Sequence, residues 1–248
     1  MKKLVKLALV LLAALMLAVC ACKKAPETER LSVEELLSLP AIIGESDRVI
    51  FKHISEIAEY ATFVKGTAVS VKYYLGLDSD ECCTLTDFRI EEVIDEYNCY
   101  SVKPGDTVTI LSYNSLNFAD VSEHIKFMAE KTGLDIGGAI TVQEAIAAHK
   151  ERGENKTAAL YEVVPTKGVD YRWYIESEAS CPLLEGESYI MALCLAMSKT
   201  NEYYQKTCYF AAFFTPLNEE LSYEKLKEKY GWNLVHDPVD AEIAALFK

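Results

Sequence analysis

Eight cysteines and four histidines are the residues of this chain best suited to ligate a metal, attack a substrate or form a cross-link. Cys20 and Cys22 stand near the start, and Cys82, Cys83, Cys99, Cys181, Cys194 and Cys208 are spread over the rest. After Cys22 there is no Cys-x-x-Cys, and no Cys/His cluster has zinc-finger spacing. On a strand, adjacent Cys82 and Cys83 would point to opposite faces, a poor start for chelating one ion. The acidic "DSDECC" (78–83) lacks the full ligand spacing and central glycine of a calcium loop, so a solvated acidic loop is the better reading. His124 and His149 fall at the borders of helical apolar stripes, where a structural histidine is favoured over a ligand. Gly137-Gly138 before Thr141 could open an anion-binding helix entry, but Glu144 would compete there with any phosphate, which favours a plain capped helix. The chain has no G-x-S-x-G elbow, P-loop, G-x-G-x-x-G or H-E-x-x-H. No catalytic, cofactor-binding or metal-binding residue is assigned on this basis, and no cofactor is expected.

One cysteine does carry a specific chemistry. The chain opens "MKK", with Lys6 close behind, and runs apolar and uncharged over residues 7–19. That is about 13 residues, short of the roughly 20 that a spanning helix needs. A basic start, a short apolar centre and small residues at its end describe a secretory signal. The stretch "LMLAVCACKK" (15–24) resembles a bacterial lipoprotein signal, in which a small residue precedes the lipid-bearing cysteine and an aliphatic one lies further upstream. Cys22 fits, with Ala21 before it and Val19 at the aliphatic position; Cys20 fits less well, because Val19 is bulky where Gly, Ala or Ser is usual. The resemblance implies that residues 1–21 are removed and that Cys22 is the lipid attachment site. The chain would then be exported and held at the bacterial cell membrane by N-terminal acyl chains.

Charge bears on the partners. The whole chain has a formal net charge of −13. Removal of residues 1–21 takes three lysines and no acid, leaving 22 basic against 38 acidic residues, a charge of −16. Such a surface repels phosphate backbones, so nucleic acid is not expected as a partner. It also gives no electrostatic help toward anionic lipid, which leaves anchoring to the acyl chains.

The elements that would position any site can be read in part. Residues 22–31 are a polar tether, and 32–248 are expected to form a single globular domain. "SVEE" (32–35) is a capping-box pattern that starts a short helix ended by Pro40. "RVIF" (48–51) is a short strand candidate, and 54–61 a helical turn or two feeding directly into a strand. "FVKGTAVSVKYYLG" (63–76) places Val69, Val71, Tyr73 and Leu75 on one face at period two, with a bulge or bend at Gly66. "TLTDFRIEEVI" (84–94) alternates Phe88 and Ile90 against Arg89 and Glu91, and "KPGDTVTILSY" (103–113) is a turn entering a Val/Ile strand. A helical insertion over about 114–160 holds helices at 120–133 and 141–153; strands at 159–165 and 169–177 follow. "GESYIMALCLAM" (186–197) and "QKTCYFAAFF" (205–214) read as a hairpin, apolar on both faces and so covered on its outer side. Helices end the chain, one closing on Gly231 and one opened by Asp237-Pro238.

Two cysteine expectations follow. A continuous strand over 84–94 separates Cys99 from Cys82 and Cys83 too far for a disulfide. A hairpin centred on Asn201 would set Cys194 opposite Cys208 in apolar company, which favours buried packing thiols over a disulfide.

The order of "ATFVKGTAVSV" (61–71), "FRIEEVI" (88–94), "KPGDTVTI" (103–110) and "PLLEGESYIMAL" (182–193) resembles a recurring bacterial exported domain of unknown function. The resemblance implies an α+β fold, mainly antiparallel: an OB-like, partly closed β-barrel with a helical insertion and C-terminal helices. Two function classes remain open. One is a lipid-anchored binding or interaction module of the cell envelope with a protein or peptide partner. The other is an envelope hydrolase or thiol enzyme whose residues converge only in three dimensions. The missing motifs favour the first.

Overall fold

A computed structural model describes residues 29–44, 53–76, 82–132, 160–176, 180, 182–195, 208–235 and 239–248. Leu31–Lys248 forms one compact unit. Its centre is a ring of strands: β2 (Thr62–Leu75), β3 (Cys83–Asn98), β4 (Thr107–Ser112), β8 (Ser188–Leu195) and β9 (Cys208–Pro216). They pair in the order β2–β3–β4–β9–β8, and β8 returns to β2, so five strands close a barrel. Every pair in the ring is antiparallel except β4 with β9. The fold is the α+β, mainly antiparallel, OB-like barrel that the resemblance implies, with its ring closed rather than partly closed.

Closure requires long, strongly coiled strands, and β2 shows how the sequence supplies them. It pairs with β3 along its whole length, with β8 over Thr62–Thr67 and with β6 (Tyr161–Val163) over Tyr73–Leu75. Register shifts between Lys65 and Gly66 and between Ala68 and Ser70 let one strand serve both partners. The second shift turns Val69 out to solvent, 38% exposed, so it leaves the face it was expected to share with Val71, Tyr73 and Leu75. In β3 the alternation is regular where expected, with Phe88 and Ile90 buried and Arg89 and Glu91 exposed. Phe88 and Ile90, with Val64, Ala68, Ile110, Tyr189, Met191 and Leu193, belong to the main core.

The turn motifs have specific bonds behind them. In "KPGD" the Asp106 carboxylate accepts from Lys103 N at 2.8 Å. Before β8, Gly186 N donates to Ala68 O at 2.8 Å, and Leu184 N donates to the Tyr189 hydroxyl at 2.9 Å. The "PLLEGESY" segment thus ties the entry of β8 to β2.

The outer wall of β2 and β8 is covered as their two-sided apolarity requires. Phe63, Ile190 and Ala192 pack under Ile57, Val239 and Ile243, the last from helix α4 (Asp240–Ala245). That helix starts two residues later than the Asp237-Pro238 pattern predicts, with Val239 at its cap and no side-chain cap bond. Asp237 and Pro238 themselves lie outside the described residues, as do 48–51 and the helix expected over 141–153. Helix α1 (Val33–Leu37) has its full capping box, and α3 (Tyr223–Tyr230) ends at Gly231 with φ 73°.

A second sheet departs from expectation. It is three-stranded, in the order β1 (Ala41–Ile43), β7 (Tyr171–Ile175), β5 (Ser115–Phe118). Strands β1 and β5 have three and four residues, too short to show a period. Although β6 and β7 follow one another along the chain, β6 pairs with the barrel and β7 with this sheet. Leu116, Phe118, Tyr171, Trp173 and Ile175 face inward and join the main core. Helix α2 (Val121–Thr132) follows β5, with the Asp120 carboxylate accepting from Ser122 N at 2.8 Å.

Candidate functional site

Period-two alternation divides the small sheet into two faces. Tyr171, Trp173 and Ile175 are buried, which leaves Arg172, Tyr174 and Glu176 on the other side. Register sets Ile42 and Ser115 on either side of Tyr174, and Asn117 beside Arg172. These residues line a cleft of about 490 Å³, which Tyr113 and Cys82 also border. Three features give it chemical character. Arg172 is half-buried and makes no ion pair among the described residues, although the chain is strongly acidic. Tyr174 leaves 43% of its surface open and Ile42 48%, an apolar patch beside the cation. The Asn117 Oδ1 at its edge is buried with no hydrogen-bond partner among the described residues.

The floor is held from behind. Asn114 Oδ1 accepts from Glu176 N at 2.8 Å and from the Ser180 hydroxyl at 2.9 Å, while Asn114 O accepts from the Thr84 hydroxyl at 2.6 Å. One buried asparagine thereby fixes the end of β7 to β3. A cation, an aromatic ring and small polar groups on a rigid strand can bind a polar ligand; no nucleophile and base meet there among the described residues.

Of the sequence-derived candidates that the structure describes, Cys82 borders this cleft and the others lie away from it. Cys22, the expected lipid attachment site, is outside the described residues, as are Cys181, His149 and His236. Cys82 and Cys83 do take opposite faces, one in the main core and the other in an outer cluster with Leu85, Leu111 and Cys208. Cys99 forms no disulfide with either, and β3 runs unbroken between them. Cys194 does not face Cys208: it opposes Phe210, because the hairpin register is two residues from the symmetric one. Strand β9 is gripped on its other side by β4, where Cys208 sits against Thr109. No disulfide joins Cys194 to Cys208. Burial pushes the Cys194 thiol up to about 11, which keeps it protonated and a poor nucleophile at neutral pH.

The described histidines are structural. His53 pairs through Nδ1 with Glu242 at 3.1 Å on the surface, and Glu242 also accepts from Ile54 N at 2.8 Å. His124 is buried, 6% exposed, with Nε2 at 2.9 Å from Gly76 O and its ring edge-on to Phe118. A carbonyl only accepts, so Nε2 carries the proton of a neutral ring. Desolvation holds its pKa below the ordinary 6.5, against the opposing pull of the Gly76 bond. A lowered pKa means the unfolded chain binds the proton more readily than the folded one. His124 therefore supports the fold above about pH 6.5, and that support drains away as pH falls through the depressed value. Urea unfolding at pH 7.5 and 5.0 should show a smaller acid loss in His124→Gln than in the parent; equal losses would refute the assignment.

Among the described residues, no group of three His, Cys, Asp or Glu side chains stands close enough to hold a metal ion. Nor is any described helix long and apolar enough to cross a membrane. No protein-family model, curated protein or solved structure matches the chain.

Proposed function

We propose that this chain is a lipid-anchored binding module of the bacterial cell envelope, and that the cleft on the small sheet is its contact site. The observation that carries the binding half is Arg172: a half-buried cation with no ion-pair partner among the described residues, beside an open aromatic ring. Holding such a charge part-way out of water costs free energy unless a partner compensates it, and an anionic group on a ligand would do so. The anchoring half rests on the lipobox-like residues 15–24, with Cys22 as the modified residue. A formal charge of −16 on the processed chain argues against nucleic acid as the partner. The competing reading, an envelope hydrolase or thiol enzyme, lacks a converging nucleophile and base among the described residues. His53 engages Glu242, His124 engages Gly76, and the Cys194 thiol is pushed up by burial.

The anchor has a direct test. Cells expressing the chain should incorporate a labelled fatty acid into it and retain it in the membrane fraction. Cys22→Ser should abolish the label and release the protein. Persistence of label in Cys22→Ser would reject that site.

A further inference from the structure

Along β7 and its continuation, Arg172, Tyr174 and Glu176 share the cleft side at two-residue spacing, a cation, a ring and an anion in line. At about 3.3 Å per residue the two charged positions are roughly 13 Å apart at their Cα atoms, and their long side chains can lean inward. Tyr174 lies along the sheet: its hydroxyl reaches the next strand's end, 3.1 Å from where a Cβ on Gly44 would stand. Its exposed ring forms a platform, with Ile42 extending the apolar surface on one side and the buried Ser115 bounding it on the other. Opposite charges at the two ends of an aromatic platform complement a ligand with the reverse polarity.

Resting on the reading of this cleft as the binding site, we propose that its ligand is a short zwitterionic peptide of two to four residues. Its C-terminal carboxylate meets the Arg172 guanidinium, whose planar donors suit a carboxylate fork. Its backbone and side chains lie on Tyr174, and its N-terminal ammonium points toward Glu176. An extended tripeptide spans at most about 10 Å, a length that fits between the two side-chain ends. Asn117, paired with Arg172 across the strands, borders the same end of the cleft. The three determinants are separable, because charge at either end can be removed without altering the ring.

Titration calorimetry of the purified full chain with tri-alanine, its C-terminal amide, its N-acetyl form and glucuronate tests this. Tri-alanine should bind, and amidation should weaken it by about tenfold or more, the size expected for losing a charged hydrogen bond. Arg172→Met should cause the same loss and become indifferent to amidation, with its melting temperature unchanged as the check on folding. N-acetylation should cost less, about two- to fivefold, because the Glu176 contact is exposed. An amide that binds as well as the acid, or an Arg172→Met chain that binds as well as the parent, overturns the proposal. Glucuronate binding that needs Arg172, with no tripeptide binding, overturns the peptide but keeps the cleft as a site. Binding of neither removes both readings.

Discussion

Gly66→Ala should destabilise the chain by about 3 kcal/mol or more, at the upper end of what overpacking a core costs. The reason is that Gly66 sits where the barrel bends. It faces Ile90 of β3 on one side and Tyr189 of β8 on the other, at the register shift that follows Lys65. A Cβ there would stand 2.1 Å from Arg89 O and 2.7 Å from a ring carbon of Phe88. A flexible side chain could swing away from such a contact, but a ladder carbonyl cannot, so β2 and β3 must separate. The two strands form the longest pairing in the ring, and the cost falls on the closed barrel as a whole. For a domain of this size the loss corresponds to a drop in melting temperature of about 6–12 °C. Gly105→Ala is the control: φ is 94° but nothing lies within 4 Å of its Cβ position, so only the backbone penalty of about 1 kcal/mol applies. Melting followed by circular dichroism would decide. A Gly66→Ala chain that melts within 2 °C or so of the parent would show that β2 and β3 do not approach as described.

Gly66 also marks how far the sequence can be read. A glycine inside an alternating run signals a bulge or close approach, and here it is both. The barrel's strands were legible for the same reason: "FRIEEVI" and "TVTIL" repeat at period two over enough residues to beat chance, and the "KPGD" turn punctuates them, while the barrel itself came from the resemblance. Strands β1 and β5 have three and four residues, so no pattern betrays them and the second sheet went unforeseen. The alternation of Arg172, Tyr174 and Glu176 was visible in "YRWYIE". Which face would stay open was not, because that depends on Trp173 finding partners far away in the chain. The Cys194–Cys208 juxtaposition failed for a related reason. Symmetry about a loop fixes register only for an isolated hairpin, and β9 is also held by β4. Cys22 is the reverse case, a chemical assignment that rests on sequence alone.

Trp173→Ala should cost about 4 kcal/mol, within the range for truncating a fully buried aromatic residue. Trp173 is 0% exposed and joins four parts of the molecule. Its indole N–H donates to Leu36 O at 2.8 Å, holding the end of α1, and its backbone N–H donates to Pro40 O at 2.8 Å, aligning β1. Its ring meets Tyr73 of β2 edge-on at 5.7 Å and Trp232 beyond α3 at 6.3 Å. Trp173→Phe keeps most of this packing and removes only the indole donor, whose acceptor retains a bond from Leu39 N at 3.2 Å, so its cost should be nearer 1 kcal/mol. The distribution of the loss is the sharper expectation. The small sheet has only three short strands, and Trp173 is the largest of the side chains that tie it to the core, whereas the ring of β2, β3, β4, β8 and β9 closes without it. Hydrogen exchange in Trp173→Ala should therefore accelerate at 41–43, 115–118 and 171–175 while the β2–β3 ladder keeps its protection. The same change should weaken any ligand held on the opposite face, because Arg172 and Tyr174 flank Trp173 on one backbone and lose their fixed spacing with it. Uniform acceleration across both sheets would mean that they unfold as one cooperative unit. Unchanged exchange in the small sheet would show that Trp173 is not what anchors the cleft.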